Sequence, residues 1–580
     1  MTRKLPRITL AIVALLIAIS TYPGADLVSL ATRLAPALSP SPAAAAGFLP
    51  WLHVEHPTGG TPYIADELGR MVLLHGVTPA SLIDYWSSSD PSNTHPSPFY
   101  PIDPAAYDGR CPSNYGLIAV PPLCKEDITQ MASLGFNLIR LPLSWSLLEP
   151  QRGQASQMYL NRVAQVVEWA GAAGIYVILD MHQDAYSRFV GSSNPAPLPK
   201  GEPAQLAYYD GAPAWATITD GLPSEAYFNR RELNPAVLEA DSNFWYNRSG
   251  LQDEYIATIA FLTRRFKNDS SVIGYSIFNE PWPGWNLPPG FEDLLLFPFY
   301  RRVIDALTGI HDGLPCLTGV WMPAVCGYAD LGVHDLHHLF FLEPGLLREV
   351  IDLPTHLGLP ISSYPNLVLS IHAYTHVYTI DALLHMSPTA YPWGGYDQSY
   401  ATAGREARAM EAALFVSEFG NPPEQDPTLL VNQLLEQETH LVGSAFWDWK
   451  ENCGGWGMYA GDPCTTGDTS PRRSSGCLRA SREQLVVRVY PRASSDPSLT
   501  YHYDPDTGAF RLEARGSKGD APTEVYIPRE VTGAVEAAGG AIGPMVDPNP
   551  DGSRLVSVLP TGGAFSIAVA AAPLSLTPCL

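Results

Sequence analysis

Residues 272–281 read Val-Ile-Gly-Tyr-Ser-Ile-Phe-Asn-Glu-Pro, an apolar strand pattern that ends in the amide of Asn279 and the carboxyl group of Glu280. A second apolar run, residues 414–416, is followed in the same way by Ser-Glu, which places Glu418 just beyond a strand. The C-terminal ends of all strands in a parallel β/α barrel meet at one rim, where active sites are built. The two glutamates are therefore expected to face one site, although a lone glutamate at a strand end is often only an ion-pair partner.

The sequence around these motifs alternates short apolar runs with amphipathic stretches from about residue 57 to residue 481. This pattern predicts eight strands, at residues 71–77, 137–141, 176–180, 272–278, 316–320, 367–372, 413–417 and 443–447. Helical periodicity predicts helices between them, at residues 125–134, 158–173, 251–266, 291–310 and 427–440. Eight such units indicate an α/β fold, a (β/α)8 TIM barrel. A doubly wound open parallel sheet fits the same periodicity nearly as well.

The pattern changes after Cys477, where short β-branched and aromatic runs alternate with Asp-Pro, Thr-Gly and Asp-Gly turn signals. These runs predict strands at residues 484–490, 499–503, 510–514, 524–527 and 564–570. We therefore expect a C-terminal all-β sandwich domain. The predicted division is an export segment (1–46), a catalytic barrel (47–481) and the β-sandwich (482–580).

A long insertion, at about residues 186–250, interrupts the barrel pattern after the third strand. Insertions of this length are usually functional or disordered, and the aromatic content argues against disorder. The aromatic residues either line an apolar cleft or simply pack the insertion onto the barrel; they are Tyr208, Tyr209, Trp215, Tyr227, Phe228, Phe244, Trp245 and Tyr246.

The composition indicates a folded globular protein, because 46% of the 580 residues are hydrophobic and only 16% are charged. The formal net charge of −23 argues against nucleic acid as a partner, since phosphate binding needs clustered Lys and Arg. It also disfavours tight electrostatic docking on anionic lipid, but not contact with neutral or glycosylated lipid.

The N-terminus has the pattern of an export signal. Arg3, Lys4 and Arg7 precede an apolar run at residues 8–19, and the small residues 43–46 suit cleavage. A secreted protein is therefore expected, with an uncleaved anchor as the alternative. The eight cysteines agree with export, and short-loop disulfides are expected between neighbours; the two pairs with the closest spacing are Cys111 with Cys124 and Cys316 with Cys326.

Other predicted strand ends add polar and aromatic side chains to the same rim. Arg140 can hold a carboxylate in its ionised form by hydrogen bonding. His372 and Tyr374 alternate along one strand and should share a face. The alternative for each of these rim residues is a packed or ion-paired side chain without a role in the reaction. The expected ligands of sugar hydroxyls and the expected apolar platform under a sugar ring are His182, Asp184 and Trp447.

Together these residues resemble the set found in glycoside hydrolase family 5, in the chain order Arg140, His182, Asn279, Glu280, His372, Tyr374, Glu418 and Trp447. A finer pattern is similar to the endoglycoceramidase and endogalactosylceramidase branch of that family. The local matches are residues 180–187 (Asp-Met-His-Gln-Asp-Ala-Tyr-Ser), 211–216 (Gly-Ala-Pro-Ala-Trp-Ala) and 243–245 (Asn-Phe-Trp). The resemblance covers roughly residues 60–570. The first strand departs from it, because Thr78 stands where asparagine is common.

The resemblance implies a retaining double displacement on a β-glycoside, in which Glu418 is the nucleophile and Glu280 the general acid/base. It implies that Arg140 and Tyr374 contact Glu418 and that Asn279 binds the 2-hydroxyl of the sugar. The implied substrate is a glycosphingolipid, including the galactosylceramide type, cleaved to oligosaccharide and intact ceramide.

We expect no metal or organic cofactor, and a monomer that contacts a membrane or micelle surface transiently. The alternative functions are a family 5 endoglucanase or mannanase, a steryl β-glucosidase, and a non-catalytic glycolipid-binding protein.

Overall fold

The computed structural model of the protein describes residues 49–83, 109–111, 123–190, 210–224, 231–286, 290–316, 319, 322–352, 363–386, 395–450, 456–460 and 477–576. Three short strands come first: β1 (His53–Glu55), β2 (Tyr63–Ala65) and β3 (Met71–Val72). Eight parallel strands follow: β4 (His75–Thr78), β5 (Leu138–Ser144), β6 (Tyr176–His182), β7 (Val272–Ser276), β8 (Leu339–Leu342), β9 (Leu367–Ala373), β10 (Ala413–Phe419) and β11 (Gly443–Trp447). They pair in chain order, and β11 closes on β4. The predicted TIM barrel is confirmed.

The barrel strands are apolar because each is covered by helices on one face and by the barrel interior on the other. Every residue of β5, β6, β7 and β9 is buried. Gly274 on β7 allows a close approach to β8, since a Cβ atom there would lie 2.1 Å from the carbonyl oxygen of Leu339. Seven of the eight predicted barrel strands overlap observed ones.

The fifth predicted strand, residues 316–320, is wrong. The fifth barrel strand is instead β8, whose Leu-Phe-Phe-Leu sequence is completely buried. Cys316 lies in an irregular segment and forms a disulfide with Cys326. Short buried strands carry no alternation of polar and apolar residues, so their sequence pattern alone does not separate them from other short apolar runs.

The structure describes ten α-helices between the barrel strands, and five of them overlap the five predicted helices. The ten helices are α1 (Lys125–Ser133), α2 (Trp145–Leu148), α3 (Gln157–Ala172), α4 (Pro235–Trp245), α5 (Leu251–Phe266), α6 (Phe297–Thr308), α7 (Leu347–Ile351), α8 (Ile380–Leu383), α9 (Tyr396–Ala409) and α10 (Val431–His440). A π-helical turn precedes each of α6 and α10, at Glu292–Leu296 and Asp426–Leu430. Both predicted disulfides within the described residues, Cys111–Cys124 and Cys316–Cys326, are confirmed.

The C-terminal region is an antiparallel β-sheet domain, as predicted. After the short pair β12 (Tyr459–Ala460) and β13 (Cys477–Leu478) and the helix α11 (Ala480–Val486), it comprises β14 (Tyr490–Ser494), β15 (Thr500–Tyr503), β16 (Phe510–Gly516), β17 (Thr523–Ile527), β18 (Val535–Pro548) and β19 (Arg554–Val569). β19 is long enough to pair with β16, β17 and β18, so one continuous sheet encloses a separate apolar core.

Two sequence predictions at this junction need correction. The first predicted strand, residues 71–77, is two strands, because β3 pairs with β14 of the C-terminal sheet while β4 enters the barrel. The strand predicted at residues 484–490 begins as the end of helix α11, continues as irregular backbone at 487–489 and reaches β14 only at Tyr490. Arg482 anchors that helix through a buried ion pair with Asp426 at 3.1 Å. The domain boundary at residues 481 and 482 stays a prediction, and residues 53–72 also belong to the C-terminal sheet.

The aromatic side chains of the insertion that the structure describes pack onto the barrel. Phe244 and Trp245, on α4, are buried against Phe278 at the end of β7. Trp215 packs edge-to-face on Trp145. These contacts favour the packing interpretation of the insertion over an open apolar cleft. Four predicted aromatic positions lie outside the described residues: Tyr208, Tyr209, Tyr227 and Phe228.

Several other predictions also fall outside the described residues, namely the export segment 1–46 and the cysteines Cys453, Cys464 and Cys579. Among the helices that the structure describes, none combines the length and the apolar character needed to cross a lipid bilayer.

Candidate active site

Glu418 is held from two sides at the C-terminal end of β10. Arg140 Nη1 donates to Glu418 Oε1, and the Tyr374 hydroxyl donates to Glu418 Oε2 at 2.8 Å. A β-bulge between Val416 and Glu418 shifts the register against β9, which turns the glutamate toward the rim. The side chain of Glu418 is only 6% exposed, so these two bonds fix both carboxylate oxygens.

Glu280 lies across the rim, two residues beyond Phe278. Its Oε1 is 2.9 Å from His372 Nδ1, and its backbone N–H donates to Glu343 Oε2 at 2.8 Å. Its backbone adopts a φ of 43°, in the left-handed region that non-glycine residues rarely occupy. At 18% its side chain is more exposed than that of Glu418, so Glu280 faces the open side of the site.

The two carboxyl groups are close enough for double displacement. One oxygen of Glu280, one oxygen of Glu418 and a ring nitrogen of His372 all lie within 4.8 Å of one another. Retaining glycosidases hold their carboxyl groups about 5–5.5 Å apart, whereas inverting enzymes leave about 6.5–9.5 Å for a water molecule. The geometry at the rim therefore corresponds to the retaining arrangement.

Glu280 and Glu418 differ in their electrostatic surroundings. Burial raises the pKa of Glu280, and the charges of Asp184 and Glu418 raise it further against the opposing effect of His372. Glu418 forms a direct ion pair with Arg140. A protonated carboxyl group beside an ionised one is the acid and nucleophile pair that glycoside cleavage uses.

Arg140 connects Glu418 to the rest of the site. It is fully buried, and its Nη2 contacts Asn279 Oδ1 at 2.7 Å, Glu343 Oε1 at 3.0 Å and Asp180 Oδ1 at 3.0 Å. Although burial alone would lower its pKa, these carboxylates raise the pKa of Arg140 above its ordinary value. Asn279 in turn donates its amide to the carbonyl oxygen of Gln183 at 2.9 Å.

His182, Asp184 and Trp447 form a second wall of the site. The rings of His182 and Trp447 stack with centroids 5.5 Å apart. His182 Nδ1 contacts Asp180 Oδ2 at 2.8 Å, while Nε2 lies 3.9 Å from Asp184 Oδ2. Burial alone would lower the pKa of His182, but Asp180 and the other nearby carboxylates raise it to about 9. The structure thus brings all nine sequence-predicted site residues to one rim.

The sequence analysis missed four acidic residues of the site. Glu343 follows the apolar strand β8 in the same way that Glu280 and Glu418 follow theirs, so the same signal could have found it. Asp210 comes from the insertion, and its Oδ2 lies 3.8 Å from His182 Nε2. Asp210 does not follow a predicted strand, so the strand-end pattern could not have identified it. The other two missed residues are Asp180 and Glu349.

Two groups at this rim have donor atoms close enough to hold a metal ion. One is His182, Asp184 and Asp210, and the other is Glu280, His372 and Glu418. The same nitrogen and oxygen atoms match the hydroxyl groups of a sugar equally well, because both groups of residues border the site that holds the two glutamates. The chemistry derived from this geometry uses no metal.

Comparisons with known proteins agree with this geometry. Residues 119–307 match the family model described as cellulase (glycosyl hydrolase family 5). Endoglycoceramidase I of Rhodococcus hoagii (strain 103S) is 25% identical over 520 residues, covering 86% of this chain and 85% of that protein. An endoglycoceramidase of Cyanea nozakii is 31% identical over 205 residues, covering 32% of this chain and 40% of that protein.

Among solved structures, the crystal structure of an endogalactoceramidase superposes with a TM-score of 0.65 and 27% sequence identity, covering 90% of this chain and all of that chain. The similarity therefore extends through the C-terminal sheet as well as the barrel.

Proposed function

We propose that this family 5 glycoside hydrolase is a retaining endo-β-glycosidase that releases the oligosaccharide of a glycosphingolipid from intact ceramide. The observation that carries the proposal is the proximity of Glu280 and Glu418, whose oxygens lie within 4.8 Å of each other and of a ring nitrogen of His372. The chain that holds this pair resembles endoglycoceramidase I over 86% of its length. The substrate class comes from that resemblance, and the reaction type comes from the geometry.

The reaction begins with Glu418 attacking the anomeric carbon while Glu280 protonates the glycosidic oxygen. The bond to ceramide breaks, the ceramide hydroxyl leaves, and the sugar stays bound to Glu418 as an ester. Glu280, now an anion, then removes a proton from water, which attacks the same carbon and releases the sugar with retained configuration. Arg140 and Tyr374 keep Glu418 oriented for the attack.

Sugar recognition is assigned to the wall that contains His182 and Asp184. His182 can donate to sugar hydroxyl groups and Asp184 can accept from them, and Asn279 is expected to bind the 2-hydroxyl. Trp447, stacked on His182, offers an apolar face to a sugar ring.

The residues next to the acid would meet the leaving group. A small cavity beside Glu280 is lined by the apolar side chains of Val237, Trp282 and Leu346 and by the polar or charged side chains of Gln183, Asp184 and Glu232. The leaving group must lie on the side of the acid, so its first atoms would meet this mixed apolar and polar lining. An endoglucanase or mannanase is the weaker alternative, because the match to endoglycoceramidase I covers 86% of this chain.

The remaining expectations belong to the same proposal. The export signal pattern at residues 1–46 supports a secreted enzyme. A monomer in transient contact with a membrane or micelle surface would reach a lipid substrate without an anionic docking site, consistent with a net charge of −23.

The test is incubation of the purified protein with lactosylceramide and with galactosylceramide in detergent, followed by mass spectrometry of both product halves. We expect free sugar and intact ceramide from the wild type and from Glu411→Gln, an exposed glutamate just before β10. We expect neither product from Glu418→Gln. Cleavage of a soluble β-glucan or a steryl glucoside, but of neither ceramide, would contradict the substrate assignment and leave the two glutamates in place.

A further inference from the structure

Glu349 is a buried acidic residue that the double displacement does not use. It lies on α7, seven residues beyond the end of β8, and is 4% exposed. Its Oε1 is 3.4 Å from His372 Nδ1, the same nitrogen that contacts Glu280 Oε1 at 2.9 Å. One imidazole nitrogen therefore faces both the acid/base and a second carboxyl group.

His372 is the centre of an unusually acidic cluster. Its nitrogens lie within 3.6 Å of carboxyl oxygens from four strand or helix ends, which belong to Glu280, Glu343, Glu349 and Glu418. Burial alone would lower the pKa of His372, but these carboxylates raise it well above its ordinary value. His372 is therefore an imidazolium that neutralises one negative charge of the cluster.

The cluster holds more carboxyl groups than cations, so some must carry protons. Burial raises the pKa of Glu349 well above its ordinary value, and the charges of Glu280, Glu343 and Glu418 raise it further. With Glu280 and Glu349 both protonated, two carboxylates, Glu343 and Glu418, remain facing His372, and both also contact Arg140.

We propose that Glu349 is a positioning residue for the acid/base step: as a neutral carboxyl group 3.4 Å from His372 Nδ1 it packs the imidazolium against Glu280 without adding a negative charge. The inference rests on the role proposed for Glu280 and is independent of the lipid aglycone. Because the sugar ester neutralises Glu418 when Glu280 becomes an anion, the number of carboxylates facing His372 stays the same in both half-reactions if Glu349 keeps its proton.

The experiment compares Glu349→Gln, a neutral carboxyl analogue, with Glu349→Ala. Both are assayed on two aryl β-lactosides: phenyl lactoside, whose leaving group needs protonation, and 2,4-dinitrophenyl lactoside, whose leaving group does not. The pH profile of kcat/KM reports the ionisation of the acid in the free enzyme. Thermal unfolding of each variant, and the carboxylic C=O band in the infrared spectrum near neutral pH, complete the measurements.

We expect Glu349→Gln to keep the kcat/KM of the wild type and the basic limb of its pH profile, and to lose one carboxylic C=O band from the infrared spectrum. For Glu349→Ala we expect at least about a tenfold loss of kcat/KM on phenyl lactoside, a part of the roughly 10²–10⁴-fold that general acid catalysis contributes, with a much smaller loss on 2,4-dinitrophenyl lactoside.

Three results would overturn the proposal. A basic limb that moves about one unit or more to lower pH in Glu349→Gln would mean that the wild-type residue is ionised, since removing a nearby negative charge lowers the pKa of Glu280. Wild-type activity in Glu349→Ala, or equal losses on both lactosides, would leave Glu349 without a role in the acid step. Failure to cleave ceramide lipids would affect only the proposed substrate, because the lactosides test the glycosidase chemistry separately.

Discussion

Replacing Asp180 by asparagine tests how the sugar-binding wall is charged. Asp180 is fully buried and accepts from His182 Nδ1 at 2.8 Å, while its other oxygen contacts Arg140 at 3.0 Å. In Asp180→Asn the amide oxygen can still accept from Arg140, but the amide nitrogen now faces Nδ1. Since two donors cannot bond, the neutral form of His182 with a bare Nδ1 becomes the favoured one.

The size of the change follows from the lost bond. A hydrogen bond to a charged group contributes about 1.5–3 kcal/mol, and one pKa unit corresponds to about 1.4 kcal/mol, so the loss amounts to roughly 1–2 units. The pKa of His182 should fall from about 9 to roughly 7–8 in the variant.

The same shift makes stability depend on pH. Because the folded-state pKa of His182 lies above the ordinary value of 6.5, its contribution to stability is complete below pH 6.5 and is lost as pH rises through about 9. The wild type should therefore exceed Asp180→Asn by about 1.5–3 kcal/mol in the free energy of unfolding at pH 6. The part of this difference that comes from His182 should disappear above pH 9.

The assay is NMR titration of nitrogen-labelled histidine in the wild type and in Asp180→Asn, together with urea unfolding at pH 6 and pH 9.5. The matched control is Asp335→Asn, because Asp335 contacts His338 Nδ1 at 2.7 Å in a buried pair of the same geometry, away from Glu280 and Glu418. Asp335→Asn should leave the titration of His182 unchanged. An unchanged midpoint for His182 in Asp180→Asn would refute the reasoning.

Three further predictions concern the residues around the two glutamates. Glu280→Ala should still form the sugar ester from 2,4-dinitrophenyl lactoside, and azide should restore turnover by giving a β-lactosyl azide; an α-azide, or no rescue with a folded variant, would contradict the acid/base assignment. Arg140→Gln should cost about 3–5 kcal/mol of stability at pH 7, as expected when one partner of a buried ion pair is removed. That deficit, measured by urea unfolding, should shrink as the pH falls below 4, because the stability that the lowered pKa values of Asp180 and Glu343 contribute is complete above their ordinary values and is lost as the pH falls through the folded-state values. Glu343→Gln should reduce kcat roughly ten- to hundredfold, since it weakens charged bonds to the Glu280 backbone and to Arg140 that contribute about 1.5–3 kcal/mol each; wild-type kcat would exclude a role for this residue.

Much of the barrel could be predicted from the sequence, because parallel strands buried on both faces give apolar runs that end in polar residues. The runs before Glu280 and Glu418 are of this kind, and the structure brings both to one rim. Residues 339–342 are an equally short apolar run, and the local pattern does not decide between them and residues 316–320 as the fifth strand. Glu343 directly follows residues 339–342, so it was not predicted as a site residue either.

Other features depend on pairing that a local pattern does not contain. Residues 71–77 look like one strand, but β3 leaves the barrel to pair with β14, more than 400 residues away in the chain. Asp210 reaches His182 from the insertion, and Glu349 reaches His372 from a short helix. Such contacts are set by the closed barrel, which brings strand ends together irrespective of their separation in sequence.

The most direct test of the central claim is to trap the sugar ester on the enzyme. The protein is incubated with 2,4-dinitrophenyl 2-deoxy-2-fluoro-β-lactoside, digested, and the labelled peptide is sequenced by mass spectrometry. We predict one fluorolactosyl group on Glu418, and none in Glu418→Gln. A label on another carboxyl group, or no covalent species together with a product of inverted configuration, would contradict the double displacement at Glu280 and Glu418.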